Sequence, residues 1–108
     1  MLRPDTILLL ILLTGCASNV KTVIDIPTIK CQMCEQNIET ALKELDGTKE
    51  IMIDRTDKIV MVYFDSTKIN LTELEVAITK KGYQANDKNP DPEAYRTLDL
   101  CCKVPKEE

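Results

Sequence analysis

Two thiols stand two residues apart in the stretch Ile29-Lys30-Cys31-Gln32-Met33-Cys34-Glu35-Gln36-Asn37-Ile38, where a strand-like run gives way to a helical one. The first turn of a helix presents unpaired N–H groups and the positive end of the helix dipole, and both favour thiolate over thiol. Thiolates bind soft metals. Two sulfurs from adjacent turns converge on one ion, and sulfur donors select Cu(I), Hg(II) and related soft ions over Mg or Ca, which want oxygen. The chain has no histidine, so the usual nitrogen ligand is absent. Two other chemistries use the same residues: a structural disulfide in an oxidising compartment, and a redox-active dithiol of a thiol–disulfide oxidoreductase.

Composition narrows the alternatives. At 108 residues there is room for one small domain with targeting and tail segments. The 18 acidic and 14 basic residues are interspersed, with no basic stripe, and aromatics are limited to Phe64 and three tyrosines. Neither the charge nor the stacking side chains of a nucleic-acid binder are present. No base and nucleophile are evidently paired, so the pattern is that of a binding protein and not of an enzyme.

The surrounding elements place the thiols. Lys21-Thr22-Val23-Ile24-Asp25-Ile26 alternates as a strand does and stops at Pro27. A helix is expected from near Met33 to Leu45, with Cys34, Ile38, Ala41, Leu42 and Leu45 on its apolar face and Glu35, Glu39, Lys43 and Glu44 opposite. Asp46-Gly47 ends it. A hairpin follows, Thr48 to Asp54 and Lys58 to Phe64, turning through Arg55-Thr56-Asp57. By the period of two, Ile51, Ile53, Val60, Val62 and Phe64 face the helices, and Met52, Ile59, Met61 and Tyr63 face away. That second face is either an ordinary open surface with scattered apolar residues or one covered by the tail or a partner. Asn70 and Glu73 form a capping box for a second helix with Leu71, Leu74, Ala77 and Ile78 as its stripe; Gly82 ends it, and Tyr83-Gln84-Ala85 is left as a short last strand. Strand, helix, strand, strand, helix, strand is an α+β, ferredoxin-like βαββαβ plan: an antiparallel sheet with both helices on one face.

Residues 21–86 resemble a heavy-metal-associated domain, the family of periplasmic mercuric-ion binding proteins, copper chaperones and the N-terminal modules of copper-transporting ATPases. The likeness is carried by Cys31 and Cys34, the Gln36-Asn37-Ile38 helix start, the Leu45-Asp46-Gly47 break and the Lys81-Gly82-Tyr83 loop, in that order. It implies that Cys31 and Cys34 hold one soft ion, Cu(I) first and Hg(II) next, and exchange it with a donor or acceptor such as a metal transporter. It also implies that the Gly82 loop lies beside the cysteine loop. Lys80 and Lys81 there would offset the charge of a dithiolate complex, although a helix C-terminus that favours lysine explains them as well, and Tyr83 would shield the site by packing. Where the family usually has Gly-Met-Thr before the first cysteine, this chain has Thr28-Ile29-Lys30, with Ile29 in the place of a buried methionine.

Outside that domain lie two further cysteine motifs. The apolar run Ile7 to Leu13 is too short to span a bilayer, which takes about 20 residues, and suits a signal-peptide core. Leu13-Thr14-Gly15-Cys16 after it resembles the bacterial lipoprotein signal. The resemblance implies removal of residues 1–15, lipidation of Cys16 and a tether over 16–20. The protein would then sit in the cell envelope, and Ala17 points to the periplasmic side of the outer membrane if the cell has two membranes. From residue 87 onward the chain turns polar with two prolines, a boundary by composition, and a helical turn is expected at Glu93 to Leu98. Then comes Cys101-Cys102. Vicinal cysteines are hard to join to each other without strain, so they read as thiols, as partners of another cysteine, or as additional metal ligands.

Overall fold

The computed structural model describes residues 19–98; Cys16, Cys101 and Cys102 lie outside the described residues. Strand β1 (Asn19–Asp25) is followed by helix α1 (Gln32–Lys43), strands β2 (Thr48–Asp54) and β3 (Ile59–Asp65), helix α2 (Leu71–Thr79) and a short helix α3 (Pro92–Arg96). The three strands form one antiparallel sheet in the order β1-β3-β2. In register, Ile24 pairs with Val60 and Thr22 with Val62 on one side of β3, while Ile53 pairs with Val60 and Ile51 with Val62 on the other. This alternation puts Ile24, Val60, Val62 and Phe64 in the core with Ile38, Leu42, Leu74 and Ile78 of the helices, and Ile51 and Ile53, partly buried, pack against that core.

The opposite face is open among the described residues. Val23, Met61 and Met52 form one row across it, and Val23 and Met52 remain 46% and 50% exposed. Tyr63 beside them stacks under the Lys21 ammonium, 5.9 Å from the ring centroid.

Local chemistry sets the element ends. Asp54 Oδ1 accepts from the N–H groups of Thr56 and Asp57 at 2.9 and 3.1 Å and closes the hairpin. Asn70 Oδ1 accepts from Glu73 N at 2.9 Å while Glu73 Oε1 accepts from Asn70 N at 3.0 Å, the expected capping box. Gly47 adopts φ +112°, and its carbonyl accepts from Asp65 N at 2.8 Å, which ties the helix exit to the end of β3.

Two expectations differ from what the chain does. Leu71, assigned to the apolar stripe of α2, is 39% exposed, because as the first helical residue it lies beyond the end of the core. Tyr83-Gln84-Ala85 does not form a strand. The segment does run beside the end of β1, with Asn86 N donating to Asp25 O and Asp25 N donating to Asn86 Oδ1, both at 2.8 Å. A side-chain amide thus takes the place of a ladder carbonyl. The chain then turns back on itself through a single bridge between Ala85 and Lys88, with Asn86 at φ +53°. Glu75, buried on α2, accepts from Asn86 Nδ2 and sits 3.8 Å from the Lys88 ammonium, which holds this turn in place.

Candidate metal centre

Cys31 and Cys34 come together because a turn delivers one to the helix start and the helix carries the other inward. Ile29 N donates to Ile26 O at 3.1 Å across Pro27-Thr28, and Ile29 packs fully into the core as the expected replacement for a methionine. Lys30 is exposed, and Cys31 takes the N-cap position of α1 in extended conformation. Its side chain makes no capping hydrogen bond. The two Sγ atoms are 3.6 Å apart. That is well beyond the ~2.0 Å of a disulfide bond, and within the span of two bonds of about 2.3 Å to one metal ion.

The pair is asymmetric. Cys34 is completely buried in the same core as Ile29, Ile38 and Tyr83, whereas Cys31 packs at the edge of that core and is partly exposed. One thiol is fixed and the other is reachable. Among the described residues no group of three or more histidine, cysteine, aspartate or glutamate side chains could hold a metal, and Cys31 and Cys34 are a set of two sulfur donors. Such a set is soft, low in coordination and open, unlike a closed tetrahedral zinc site.

The neighbouring groups divide between the core and the surface. Tyr83 is fully buried, and its hydroxyl accepts from Asn37 Nδ2 at 2.8 Å. Asn37 follows Cys34 by three residues on α1, so this bond fastens the Gly82 loop to the turn directly after the buried cysteine. Lys80 and Lys81 are exposed at the end of α2 and line the groove between α1 and α2 along with Ala41, Leu45 and Ala77. Among the described residues neither forms an ion pair. Met33 is exposed on the first turn of α1. Thr28 has a role that sequence did not suggest: its Oγ1 accepts from Gln84 N at 3.1 Å and links the segment before the cysteines to the one after Tyr83. Asn37 on α1 and Thr28 in the loop before it both bond to the 83–84 segment, and neither periodicity nor spacing encodes such a pairing.

A family model described as the heavy-metal-associated domain matches residues 23–84. The chain belongs to the heavy-metal-associated domain family. This domain is 34% identical over 64 residues to the mercuric transport protein periplasmic component of Shewanella putrefaciens, covering 58% of this chain and 70% of that one. It is 33% identical over 60 residues to a copper chaperone of Staphylococcus saprophyticus, covering 56% of this chain and 88% of that protein. Among solved structures, oxidized MerP from Ralstonia metallidurans superposes with a TM-score of 0.61 at 19% identity, over 63% of this chain and 94% of that one. At that identity the likeness is one of fold, and the heavy-metal-associated domain here has the ferredoxin-like arrangement with its fourth strand position filled by the irregular 83–86 segment. Among the described residues no helix is long and apolar enough to cross a membrane.

Proposed function

We propose that the protein is an envelope carrier that captures one soft metal ion, Cu(I) in preference to Hg(II), between Cys31 and Cys34 and passes it on by thiolate exchange. The observation that carries this reading is the asymmetry of the pair: sulfurs 3.6 Å apart, one locked in the core and one at the surface. The buried sulfur of Cys34 retains the ion while an incoming thiolate or thioether adds beside Cys31 and makes a three-coordinate intermediate. Loss of Cys31 from that intermediate starts delivery, and loss of the newcomer reverses it. No bond of an organic substrate is made or broken, so the role is carriage and not catalysis. The partner is a protein that presents its own soft ligands, such as a metal transporter. Lipidation at Cys16 would hold the carrier on a membrane, since more than one acyl chain is needed for stable anchoring.

The names of the relatives support this choice of cargo. One is called a mercuric transport protein and another a copper chaperone. Titration of the purified chain with Cu(I) and Zn(II), each against a chelator of matched strength, tests the proposal. We expect one tightly held Cu(I) and far weaker Zn(II). A preference for Zn(II), or disulfide-reductase turnover in place of metal binding, would overturn it.

A further inference from the structure

On the face of the sheet turned away from the helices, register partners form rows across the strands. Lys21, Tyr63 and Glu50 make one row, and Asp25, Ile59 and Asp54 another. Between them stand Val23, Met61 and Met52, so the two methionines are direct partners on neighbouring strands. Neither belongs to the core: Met52 is 50% exposed and Met61 only partly buried. Directly opposed residues on antiparallel strands have β-carbons about 4.5–5.5 Å apart. Two sulfurs that share one ion, at bonds of about 2.3 Å, lie no more than about 4.6 Å from each other. Methionine has three rotatable bonds with which to aim its sulfur, so side-chain rotation alone can bring this pair onto one ion. The surroundings suit a cation. Glu50 and Asp54 flank Met52 two residues either way on β2, and therefore on the same face. Met52 and Met61 line one open cavity of about 600 Å³ together with Glu35, Asp54 and Arg55. Arg55 Nε is 3.8 Å from Glu35 Oε2, which leaves Asp54 as the remaining charge of that lining.

We propose that Met52 and Met61 form a second metal site, a thioether pair on the open sheet face that takes a soft monovalent cation, Cu(I) or Ag(I). Thioether sulfur selects such ions over Mg or Ca for the same reason that thiolate does. Each sulfur donates a lone pair, no proton leaves, and the oxidation state of the ion does not change. The pair is neutral, so it holds its ion more weakly than a dithiolate and fills after the thiols. It also stays open to metal where an oxidising compartment joins thiols as disulfides. The site is separate from Cys31 and Cys34: Cys34 is buried in the core, and the methionines lie on the far side of the sheet from it.

Titration of the full reduced chain with Ag(I), followed by NMR of carbon-labelled methionine methyl groups, reads each thioether separately. Once the thiols are filled, the Met52 and Met61 signals should shift together with one shared midpoint. Met33, 43% exposed on α1 and without a cross-strand partner, should not move at that stage. Met52→Leu conserves volume at a half-exposed position and leaves the fold intact, yet it should abolish the Met61 shift, and Met61→Leu should abolish that of Met52. In a folded Cys31→Ser/Cys34→Ser chain both shifts should persist. Silent Met52 and Met61 signals would overturn the proposal. So would a Met61 shift at the wild-type midpoint in Met52→Leu, or a Met33 response in step with the other two, either of which marks indiscriminate thioether binding. Loss of both shifts in the folded double serine variant would assign them to the cysteine site and equally reject a second one.

Discussion

Asn37 Nδ2 donates a hydrogen bond of 2.8 Å to the hydroxyl of the fully buried Tyr83, and through it the helix that carries Cys34 is fastened to the loop at the end of α2. Cys34 keeps its place because the element behind it is held from two sides, by core packing of Ile38 and Leu42 and by this bond. Tyr83→Phe removes the hydroxyl while keeping the ring. We expect a loss of about 0.5–1.5 kcal/mol in urea unfolding, at the small end because Asn37 is part-exposed and regains water, with the copper stoichiometry unchanged.

Gly82 combines φ +100° with the close approach of α3. Any side chain is strained in that backbone conformation, and its first carbon meets Ala94 backbone atoms that cannot swing aside as a flexible side chain would. Gly82→Ala should destabilise by about 1–3 kcal/mol. It should also loosen α3, seen as faster hydrogen exchange at Tyr95 and Leu98, whose N–H groups donate to Asp91 O and Tyr95 O. Unchanged exchange there would mean that the helix is held elsewhere.

The carboxyl of Asp65 is held below its ordinary value of 3.8, chiefly by the Thr67 hydroxyl at 2.6 Å and then by Thr67 N at 3.0 Å, with smaller help from Lys68 and Lys49. A carboxylate with a depressed folded pKa stabilises the fold above the unfolded value. That contribution fades as pH falls through the folded value, because the unfolded chain takes up the proton first. Unfolding midpoints followed downward from pH 5 should therefore decline less steeply in Asp65→Asn than in the wild type.

Much of the plan was legible from residues alone because the relevant signals are local. The capping box at Asn70 and Glu73, the turn at Asp54, the glycine exit at Gly47 and the alternation along β3 each follow from neighbours a few residues away. The approach of Cys31 to Cys34 is equally local, set by one helical turn. The failures were non-local. Tyr83-Gln84-Ala85 has strand composition, yet Asn86 substitutes its side chain for a backbone partner of Asp25 and a buried Glu75 anchors the reversal that follows. The docking of α3 on Gly82 likewise depends on two segments meeting in space, and its only trace in sequence is the apolar Leu98 after a proline-rich link.

Cys16 makes the envelope assignment testable without reference to metal. Metabolic labelling with a radiolabelled fatty acid should mark the wild type and not Cys16→Ala, and the variant should leave the membrane fraction while its isolated domain unfolds at the wild-type midpoint, as Cys16 precedes β1, which begins at Asn19. An unlabelled wild type in the soluble fraction would contradict the anchor.

The most direct measurement is the Cu(I) dissociation constant of the wild type, Cys31→Ser and Cys34→Ser, each determined by competition with a chromogenic chelator in reducing, oxygen-free buffer. On the proposed reading one ion is shared by the two sulfurs 3.6 Å apart, and either substitution should abolish tight binding, with folding verified by circular dichroism. Wild-type affinity in a folded Cys31→Ser or Cys34→Ser protein would contradict the shared site.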